Sequence, residues 1–265
     1  MQNLVYLIIS TFFFSFANSQ NNEDLLLLKN AINNDSRSLS NKKRDKYRNP
    51  YETLVFFGIN REMKVLEISP GKGWYSEIIS KFMRGTNNFY VTRYEPAPLK
   101  IIEKNQKEFE KYFKKNQSSY GEISIINFNG KNILEKEVNN FDLVLTFRNS
   151  HNWLSSKTAS NVYKSIHGIM KKGAVLGVVQ HRAPKNLKQN FKNGYVKESF
   201  LINFIEEQGF KFIEKSEINS NLKDLKNYKD GVWTLPPRLI LKDANKQKYL
   251  DIGESDRMTL KFIKL

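Results

Sequence analysis

The segment KVLEISPGKGWYSEII, residues 64–79, constrains the fold of this chain more than any other feature. Its apolar run from Val65 to Ile68 predicts a buried strand, and a turn that contains Gly71 and Gly73 follows directly. From Trp74 onward the apolar spacing predicts a helix. In a strand–turn–helix unit of this kind, glycines let a ligand approach the backbone, and the helix directs free N–H groups at it.

Strand-like and helix-like segments alternate along the rest of the chain. The predicted strands before residue 182 are 65–68, 88–95, 123–128, 141–147 and 174–181. They are continuous apolar runs, mostly separated by predicted helices, which is typical of an α/β, doubly wound Rossmann-like sheet covered on both faces. Two more strands, FKFIEKSEI at 210–218 and WTLPPRLIL at 233–241, are expected to form an antiparallel pair at one edge.

The first nineteen residues have a different character from this domain. Leu4 to Ala17 carries no charge, and as a helix it would be about 21 Å long, short of the roughly 30 Å hydrocarbon core. Small residues at Ala17 and Ser19 complete the pattern of a secretory signal peptide, although no Lys or Arg precedes the apolar run. The alternative is an N-terminal anchor or a membrane-touching helix.

The signal predicts an exported, periplasmic protein that touches the membrane only through this segment. If the signal interpretation is wrong, the protein is expected in the cytoplasm. The expected organisation is a signal peptide at 1–19, a polar extension at 20–50, an α/β domain at 51–243, and a tail at 244–265 packed on or near that domain.

Composition narrows the possible chemistry. The chain has no cysteine, which excludes disulfides, thiolate metal sites and a cysteine nucleophile, and no metal site is expected. Its net charge of +16 is compatible with a polyanion partner. However, many lysines alternate with acidic residues, and the longest basic cluster, NKKRDKYR at 41–48, contains an aspartate. We therefore interpret the charge as a solvated surface and expect no nucleic-acid partner.

Two nucleoside ligands use a turn of this type. A dinucleotide requires G-x-G-x-x-G, and this chain has Ser76 at the third glycine position. S-adenosylmethionine sites use a looser E/D-x-G-x-G-x-G turn, matched here with serine replacing one glycine, and Glu95 ends the second strand where it could bind ribose hydroxyls. Alternatively, both acids are ordinary strand-end residues. The expected cofactor-binding residues are Glu67, Ser69, Pro70, Gly71, Gly73, Trp74 and Glu95.

Over roughly residues 35–240 the chain resembles a family of predicted class I S-adenosylmethionine-dependent methyltransferases, many of which begin with an apparent signal peptide. The similar blocks are RNPYETLVFFGI, VLEISPGKGWYSEII, FDLVLTFRNSHNW, GAVLGVVQHRAP, GYVKESF, GFKFIEKSEIN and GVWTLPPRL. The resemblance implies a seven-stranded sheet with a reversed last strand, and S-adenosyl-L-methionine as cofactor. It supplies no assigned catalytic residues, and Ser69 departs from the general motif.

Residues after the fourth and fifth strands lie at the carboxyl edge of the predicted sheet. In FRNSHNW, His151 is the candidate general base, Arg148 is placed to clamp an anionic acceptor, and Asn149 completes the predicted catalytic set. Alternatively, these polar residues stitch the loop together. The predicted substrate-binding residues are His181, Arg182, Trp153, Glu217 and Asn219.

Aromatic and N-terminal residues supply two further hypotheses. Trp74 and Tyr75 follow the glycines, where an aromatic face near a sulfonium gains cation–π attraction, or where they simply pack. Tyr47 and Arg48 could form a lid, by analogy at the level of the fold.

The sequence thus predicts a methyltransferase that acts on a small-molecule acceptor. The rivals are a nicotinamide-dependent oxidoreductase and an exported, non-enzymatic ligand-binding protein that retains the fold. Acceptor and oligomeric state stay open.

Overall fold

A computed structural model describes residues 22–135, 138–186 and 190–265. The proposed signal peptide lies outside the described residues. Within them, no helix is both long enough and apolar enough to cross a membrane.

The centre of the protein is a seven-stranded sheet in the order β3-β2-β1-β4-β5-β7-β6. The strands are β1 (Val65–Ile68), β2 (Phe89–Tyr94), β3 (Ser124–Phe128), β4 (Phe141–Phe147), β5 (Met170–His181), β6 (Phe210–Ser216) and β7 (Arg257–Lys264). β1 to β5 pair in parallel, whereas β7 runs antiparallel to both β5 and β6. The predicted fold class, mostly parallel with an antiparallel C-terminal strand, is confirmed.

Helices cover both faces of this sheet. They are α1 (22–33), α2 (Leu39–Lys42), α3 (Asp45–Arg48), α4 (Pro50–Phe57), α5 (Trp74–Phe82), α6 (Lys100–Lys115), α7 (Gln117–Tyr120), α8 (Ser150–Ser155), α9 (Ala159–Ile169), α10 (Glu198–Glu206) and α11 (Lys246–Ile252). Local signals explain both ends of α4: Pro50 begins the helix, and Gly58, at φ 78°, ends it as expected.

Two apolar clusters pack on opposite faces of the sheet. One contains Leu66, Val144 and Leu176 under α9 and α10, and the other contains Val65 and Leu143 under α4, α5 and α6. Successive residues of one strand therefore bury opposite faces, as the continuous apolar runs predict. The sheet is fixed on both sides, so its carboxyl edge is a rigid base for a site.

The prediction for the seventh strand was wrong. The 3₁₀ helix Gly231–Thr234 includes the first two residues of the expected strand, and the following segment contains Pro236 and Pro237. Proline cannot donate to a strand ladder, so this segment is unsuited to the middle of a sheet. Strand β7 instead lies within the segment expected to be a tail, and its Met258, Leu260 and Phe262 are fully buried. The domain therefore includes residues 257–264.

The N-terminal segment is also part of the folded unit. Leu28 and Ala31 of α1 are buried in the same cluster as Phe57. The Trp74 indole N–H donates to the Asn41 carbonyl at 3.1 Å, which attaches α2 and the residues after it to the first turn of α5. The segment expected to be a polar extension therefore packs against the sheet's carboxyl edge.

Candidate functional site

A cleft of about 580 Å³ opens at the carboxyl edge of the sheet. Three parts of the chain line it: the turn after β1, the loop after β4, and the N-terminal helices, with His181 and Trp233 at the far side. A second pocket of about 160 Å³ lies between β1, β2 and α6. The cleft and the smaller pocket adjoin each other, because they share five lining residues: Ser69, Pro70, Gly71, Asn149 and Asn152.

The two glycines of the turn have different roles. Both have positive φ angles, 64° at Gly71 and 79° at Gly73. A Cβ added at Gly71 would meet no atom within 4 Å, whereas one at Gly73 would lie 2.8 Å from the Phe109 ring and 2.9 Å from Phe113. Gly71 therefore borders open space, and Gly73 lets α6 pack against the turn. The expectation that both glycines make room for a ligand is wrong for Gly73, and for Gly71 it stays a prediction.

Ser69 adopts the backbone conformation that explains why a glycine is common at its position. Its φ is 53°, in the left-handed region, and its N–H donates to Thr92 Oγ1 at 2.8 Å. A non-glycine residue there carries some strain, of about 1 kcal/mol. The bond to β2 helps to hold this strained turn against the sheet.

Glu67 lies beneath the turn rather than on the cleft surface. Its carboxylate accepts a 2.6 Å hydrogen bond from Ser76 Oγ, and its side chain is buried. Burial raises the pKa of Glu67 to about 7, opposed by the Ser76 hydrogen bond and by Arg148. The acid expected to contact a cofactor thus joins the end of β1 to the first turn of α5.

Glu95 is not among the residues that line either pocket. It is exposed, pairs with Arg93 at 3.4 Å, and faces a separate surface depression. The end of β2 contributes Thr92, Arg93 and Tyr94 to the smaller pocket instead. The Tyr94 backbone is fixed by Gln106, whose side chain bonds both its N–H and its carbonyl.

Both aromatic residues after the glycines pack against protein groups, and Trp74 also lines the cleft. Arg37 and Arg48 lie over the Trp74 ring, 5.2 and 4.6 Å from its centroid. Tyr75 stacks on Phe147 with centroids 3.6 Å apart and donates to the Arg48 carbonyl. The cation–π partners predicted for this position are therefore protein guanidiniums.

Three arginines converge on one buried carboxylate, Glu254. Arg44 Nε lies 2.7 Å from it, Arg48 Nε 3.0 Å and Arg257 Nη1 3.1 Å. These guanidiniums lower the pKa of Glu254 to about 2 although burial acts in the opposite direction. Arg48 is 1% exposed, and its Nη2 has no hydrogen-bond partner. The lid hypothesis placed Tyr47 and Arg48 over the site. In the structure Arg48 lies in the wall of the cleft, and the Tyr47 ring packs against Gly253.

A fourth guanidinium, Arg148, belongs to the same group. It follows β4 with φ 64°, and its N–H donates to the Val179 carbonyl at 2.7 Å. Burial lowers the pKa of Arg148 well below its usual range, and Arg48, Arg257 and Arg44 lower it further. Its side chain makes no hydrogen bond or ion pair with any described residue. We call Arg44, Arg48, Arg148 and Arg257, around Glu254, the arginine cluster.

His151 is buried with one ring nitrogen unused. Gln180 Nε2 donates to the Gly194 carbonyl at 2.9 Å and lies 3.2 Å from His151 Nδ1. Because the carbonyl fixes the orientation of the amide, its second N–H points at Nδ1, so Nδ1 accepts and Nε2 carries the proton. Nε2 has no partner among the described residues, and burial lowers the pKa of His151 to about 4. The ring is a neutral hydrogen-bond donor at pH 7.

His181 completes the far side of the cleft. Its ring centroid lies 5.6 Å from that of His151, and Trp233 lies 5.6 Å from His151. Nδ1 of His181 is 2.5 Å from Ser255 Oγ, which can donate or accept. Burial, His151 and Arg148 hold the pKa of His181 well below its usual range, so both imidazoles are uncharged at neutral pH.

Asn149, the third predicted catalytic residue, lines the cleft, but its side-chain amide holds two strand ends together. Its amide donates to the Ile68 carbonyl at 3.1 Å and to Thr146 Oγ1 at 3.1 Å, which ties the ends of β1 and β4 together. This is the loop-stitching alternative, and it leaves the Asn149 side-chain oxygen for other contacts.

Four predicted substrate-binding residues are absent from the lining of the cleft. Arg182 forms ion pairs with Glu217 at 2.6 Å and Asp256 at 3.0 Å. Trp153 is buried in the core against Tyr163, and the Asn219 amide donates to Thr53 and Thr259. Only His181 of that set lines the cleft.

The sequence interpretation named Arg48 and Arg148 as site candidates but missed the rest of the arginine cluster and its shared carboxylate. Arg44 and Arg48 belong to the basic cluster interpreted as solvated surface, and Glu254 and Arg257 to the expected tail. Asn41 and Ser38 also line the cleft. The available signal was the pair of arginines in a segment otherwise rich in lysine, since buried ion pairs favour arginine.

Comparison with known proteins identifies the fold. No protein-family model matches the chain, and no curated protein matches it significantly in sequence. Among solved structures, it resembles a SAM-dependent methyltransferase from Aquifex aeolicus, with 12% identity over 84% of this chain and 93% of that chain and a TM-score of 0.57. A methyltransferase from Clostridium acetobutylicum gives 12% identity, 83% and 92% coverage and a TM-score of 0.53.

A third similar structure is the [4+2]-cyclase SpnF, with 11% identity, coverage of 93% and 94%, and a TM-score of 0.57. These matches establish a class I methyltransferase-like fold. Because a cyclase is among them, the fold alone does not determine the reaction.

Proposed function

We propose that this protein is an S-adenosylmethionine-dependent methyltransferase that acts on a small-molecule acceptor. The observation that carries the proposal is the open space against Gly71 at the carboxyl end of β1, where a doubly wound sheet binds its ligands. Similar structures add support, because the glycopeptide N-methyltransferase MtfA was crystallised with S-adenosyl-L-homocysteine and with sinefungin.

The residues at the junction of the two pockets fit such a cofactor. Ser69, Pro70 and Gly71 offer backbone at close range, and Asn149 and Asn152 add side-chain amides. The smaller pocket adds an apolar lining of Val91, Ile102, Phe109 and Ile125, suited to one face of a purine. When bound, the cofactor supplies a methyl group on a positively charged sulfur. The S–CH₃ bond breaks as the bond from methyl to acceptor forms.

The chain's own groups act on the acceptor by orientation. Holding an acceptor in line can supply about 7–11 kcal/mol of the barrier. His151 donates a hydrogen bond through Nε2–H, and this replaces the general-base role predicted from the sequence. Solvent would receive the acceptor's proton, where the acceptor has one to lose, because the lowered pKa of His181 makes that ring a poor base.

Calorimetric titration with S-adenosylhomocysteine and with NADH tests this proposal directly. We expect S-adenosylhomocysteine to bind with micromolar affinity and NADH not to bind. Arg84→Met is the control variant and should bind S-adenosylhomocysteine as the wild type does. This exposed arginine lies just past the end of α5 that is remote from the glycine turn. Absence of binding at about 1 mM S-adenosylhomocysteine would overturn the proposal.

A non-enzymatic ligand-binding protein of the same fold is a second rival, beside the oxidoreductase that the NADH titration tests. Incubation with cofactor labelled in the methyl group, and with cell-extract small molecules, separates them. Labelled product supports the enzyme; tight binding of S-adenosylhomocysteine with no labelled product favours the rival.

We also propose export to the periplasm, on the composition of Leu4–Ala17 alone. N-terminal sequencing of the protein recovered from cells tests it. Cleavage near Ser19 supports export, and an intact Met1 contradicts it.

A further inference from the structure

The arginine cluster contains more positive charge than the protein neutralises. Four guanidiniums surround one carboxylate, Glu254, which leaves a surplus of three positive charges. Burying a charge without a counter-charge is unfavourable by several kcal/mol. Such a surplus is stable in a folded protein when a bound anion shares it.

The remaining carboxylates near the cleft are already engaged. Glu77 accepts from Asn41 at 2.9 Å and lies 3.6 Å from Arg37, which also pairs with Asp45. Glu67 bonds Ser76 beneath the turn. Asp256 pairs with Arg182 and Lys226. None of these acids forms an ion pair with Arg148 within the described residues.

Two residues that line the cleft have unused donors. Arg48 Nη2 and His151 Nε2 are buried without hydrogen-bond partners among the described residues, and both residues line the cleft together with Arg148. An unmade hydrogen bond at a buried donor is unfavourable by about 1–3 kcal/mol. Two orphaned donors and an unpaired guanidinium in the lining of one cleft are therefore a donor set suited to an anion.

We propose that the methyl acceptor carries a phosphate or carboxylate group, which binds to Arg148 and Arg48 with His151 donating beside them. This inference rests on the proposed function and names its substrate class. The cofactor does not satisfy this demand, because the ammonium and sulfonium groups of S-adenosylmethionine outnumber its one carboxylate. Its binding would add to the positive charge of the cleft, so the acceptor must bring the negative charge.

An oxyanion bound at Arg148 and Arg48 has two possible sources: the acceptor and the methionine carboxylate of the cofactor. Titration of the full chain with inorganic phosphate and with malonate, in the absence and presence of saturating S-adenosylhomocysteine, separates them. We expect both anions to bind and to raise the melting temperature. We also expect the anion affinity to be undiminished with S-adenosylhomocysteine present.

Arg148→Met removes the unpaired guanidinium while keeping most of its volume. Because a hydrogen bond to a charged group contributes about 1.5–3 kcal/mol, phosphate affinity should fall about 10- to 100-fold. Arg84→Met should bind phosphate as the wild type does. Should Arg148→Met fail to fold, His151→Ala takes its place with the same expectation, because it removes the N–H proposed to donate to the anion.

Two results would overturn the proposal: equal phosphate affinity in Arg148→Met and wild type, or displacement of phosphate by S-adenosylhomocysteine. The second would assign the site to the cofactor's carboxylate. The proposed function fails separately, if S-adenosylhomocysteine does not bind while phosphate still binds in an Arg148-dependent way.

Discussion

The two walls of the cleft are built in different ways. The glycine turn, residues 69–73, is one continuous segment whose shape comes from positive φ angles and hydrogen bonds within its own strand–turn–helix unit. The other wall, the arginine cluster, joins residues from both ends of α3, the loop after β4 and the start of β7. A turn is specified locally, whereas a charge cluster needs the finished fold.

This contrast predicts that the arginine wall is the more fragile. Glu254→Gln leaves four guanidiniums, two of them fully buried, without their carboxylate, so we expect a loss of about 3–5 kcal/mol in unfolding free energy. Because the pKa of Glu254 is lowered to about 2, its stabilisation is complete above about pH 4.5 and is lost as pH falls towards 2. Urea denaturation measures both effects.

Glu214→Gln is the matched control, since this exposed carboxylate pairs with Lys261 at 3.0 Å. It should change the unfolding free energy by less than about 1 kcal/mol. An equally small loss in Glu254→Gln would mean that the cluster does not depend on its carboxylate.

Glu67 lies beneath the glycine turn, and its contribution to stability changes with pH in the opposite direction to that of Glu254. Burial raises the pKa of Glu67 to about 7, so the folded protein holds a proton that the unfolded chain releases near pH 4.5. Stability therefore falls as pH rises from 4.5 to 7 and stays low above it. Glu67→Gln should be more stable by roughly 2–4 kcal/mol at about pH 8, with the advantage vanishing towards pH 4.5.

Denaturation at several pH values checks this, with the exposed Glu122→Gln as a control that should show no such trend. A destabilised Glu67→Gln at about pH 8 would show that the carboxylate is charged and favourable in the fold.

Within the glycine turn, the two glycines should separate binding from stability. Gly71→Val places a side chain in the open space, and affinity for S-adenosylhomocysteine should fall about 100-fold or more. Gly73→Ala forces a methyl group into Phe109 and should reduce the unfolding free energy by about 1–3 kcal/mol. Both substitutions also strain a positive φ angle, so calorimetry decides: affinity should fall far more in Gly71→Val than in Gly73→Ala, and equal losses of affinity would refute the distinction.

The smallest expected effect concerns His151. His151→Gln retains an N–H donor, so turnover should fall by less than about tenfold, whereas His151→Ala should lose about tenfold or more. With a pKa of about 4, the ring stays neutral, and the wild-type rate should show no ionisation of His151 between pH 5.5 and 8. Rate profiles of the three proteins measure this. A rate inflection near pH 6.5 that disappears in His151→Gln would restore the general-base hypothesis.

Much of the scaffold was predictable from sequence because its signals are local. Continuous apolar runs identified β1 to β5, and glycine spacing identified the turn. The prediction failed where local pattern misleads: residues 233–241 are apolar enough for a strand, but Pro236 and Pro237 argue against one. The alternation of Met258, Leu260 and Phe262 in β7 was the correct signal, in a segment taken for a tail.

The site was less predictable because its partners are distant in sequence. Arg48 and Glu254 are 206 positions apart, so nothing near the basic segment indicates that its arginines are buried. Arg148 and His151 were identified from their position after β4, but the role of His151 depends on the Gly194 carbonyl that orients Gln180. A tautomer is a property of packing and cannot be read from residue order.

The position of β7 has a consequence for how the chain reaches its native state. β7 follows β6 in sequence yet lies between β5 and β6, so β6 has no sheet neighbour until residues 257–264 have left the ribosome. Until then, the edge of β5 presents unpaired backbone groups, the kind of edge on which chains associate wrongly. Glu254 arrives only just before β7, so the partner that holds Arg44 and Arg48 reaches them at the end of synthesis of this domain.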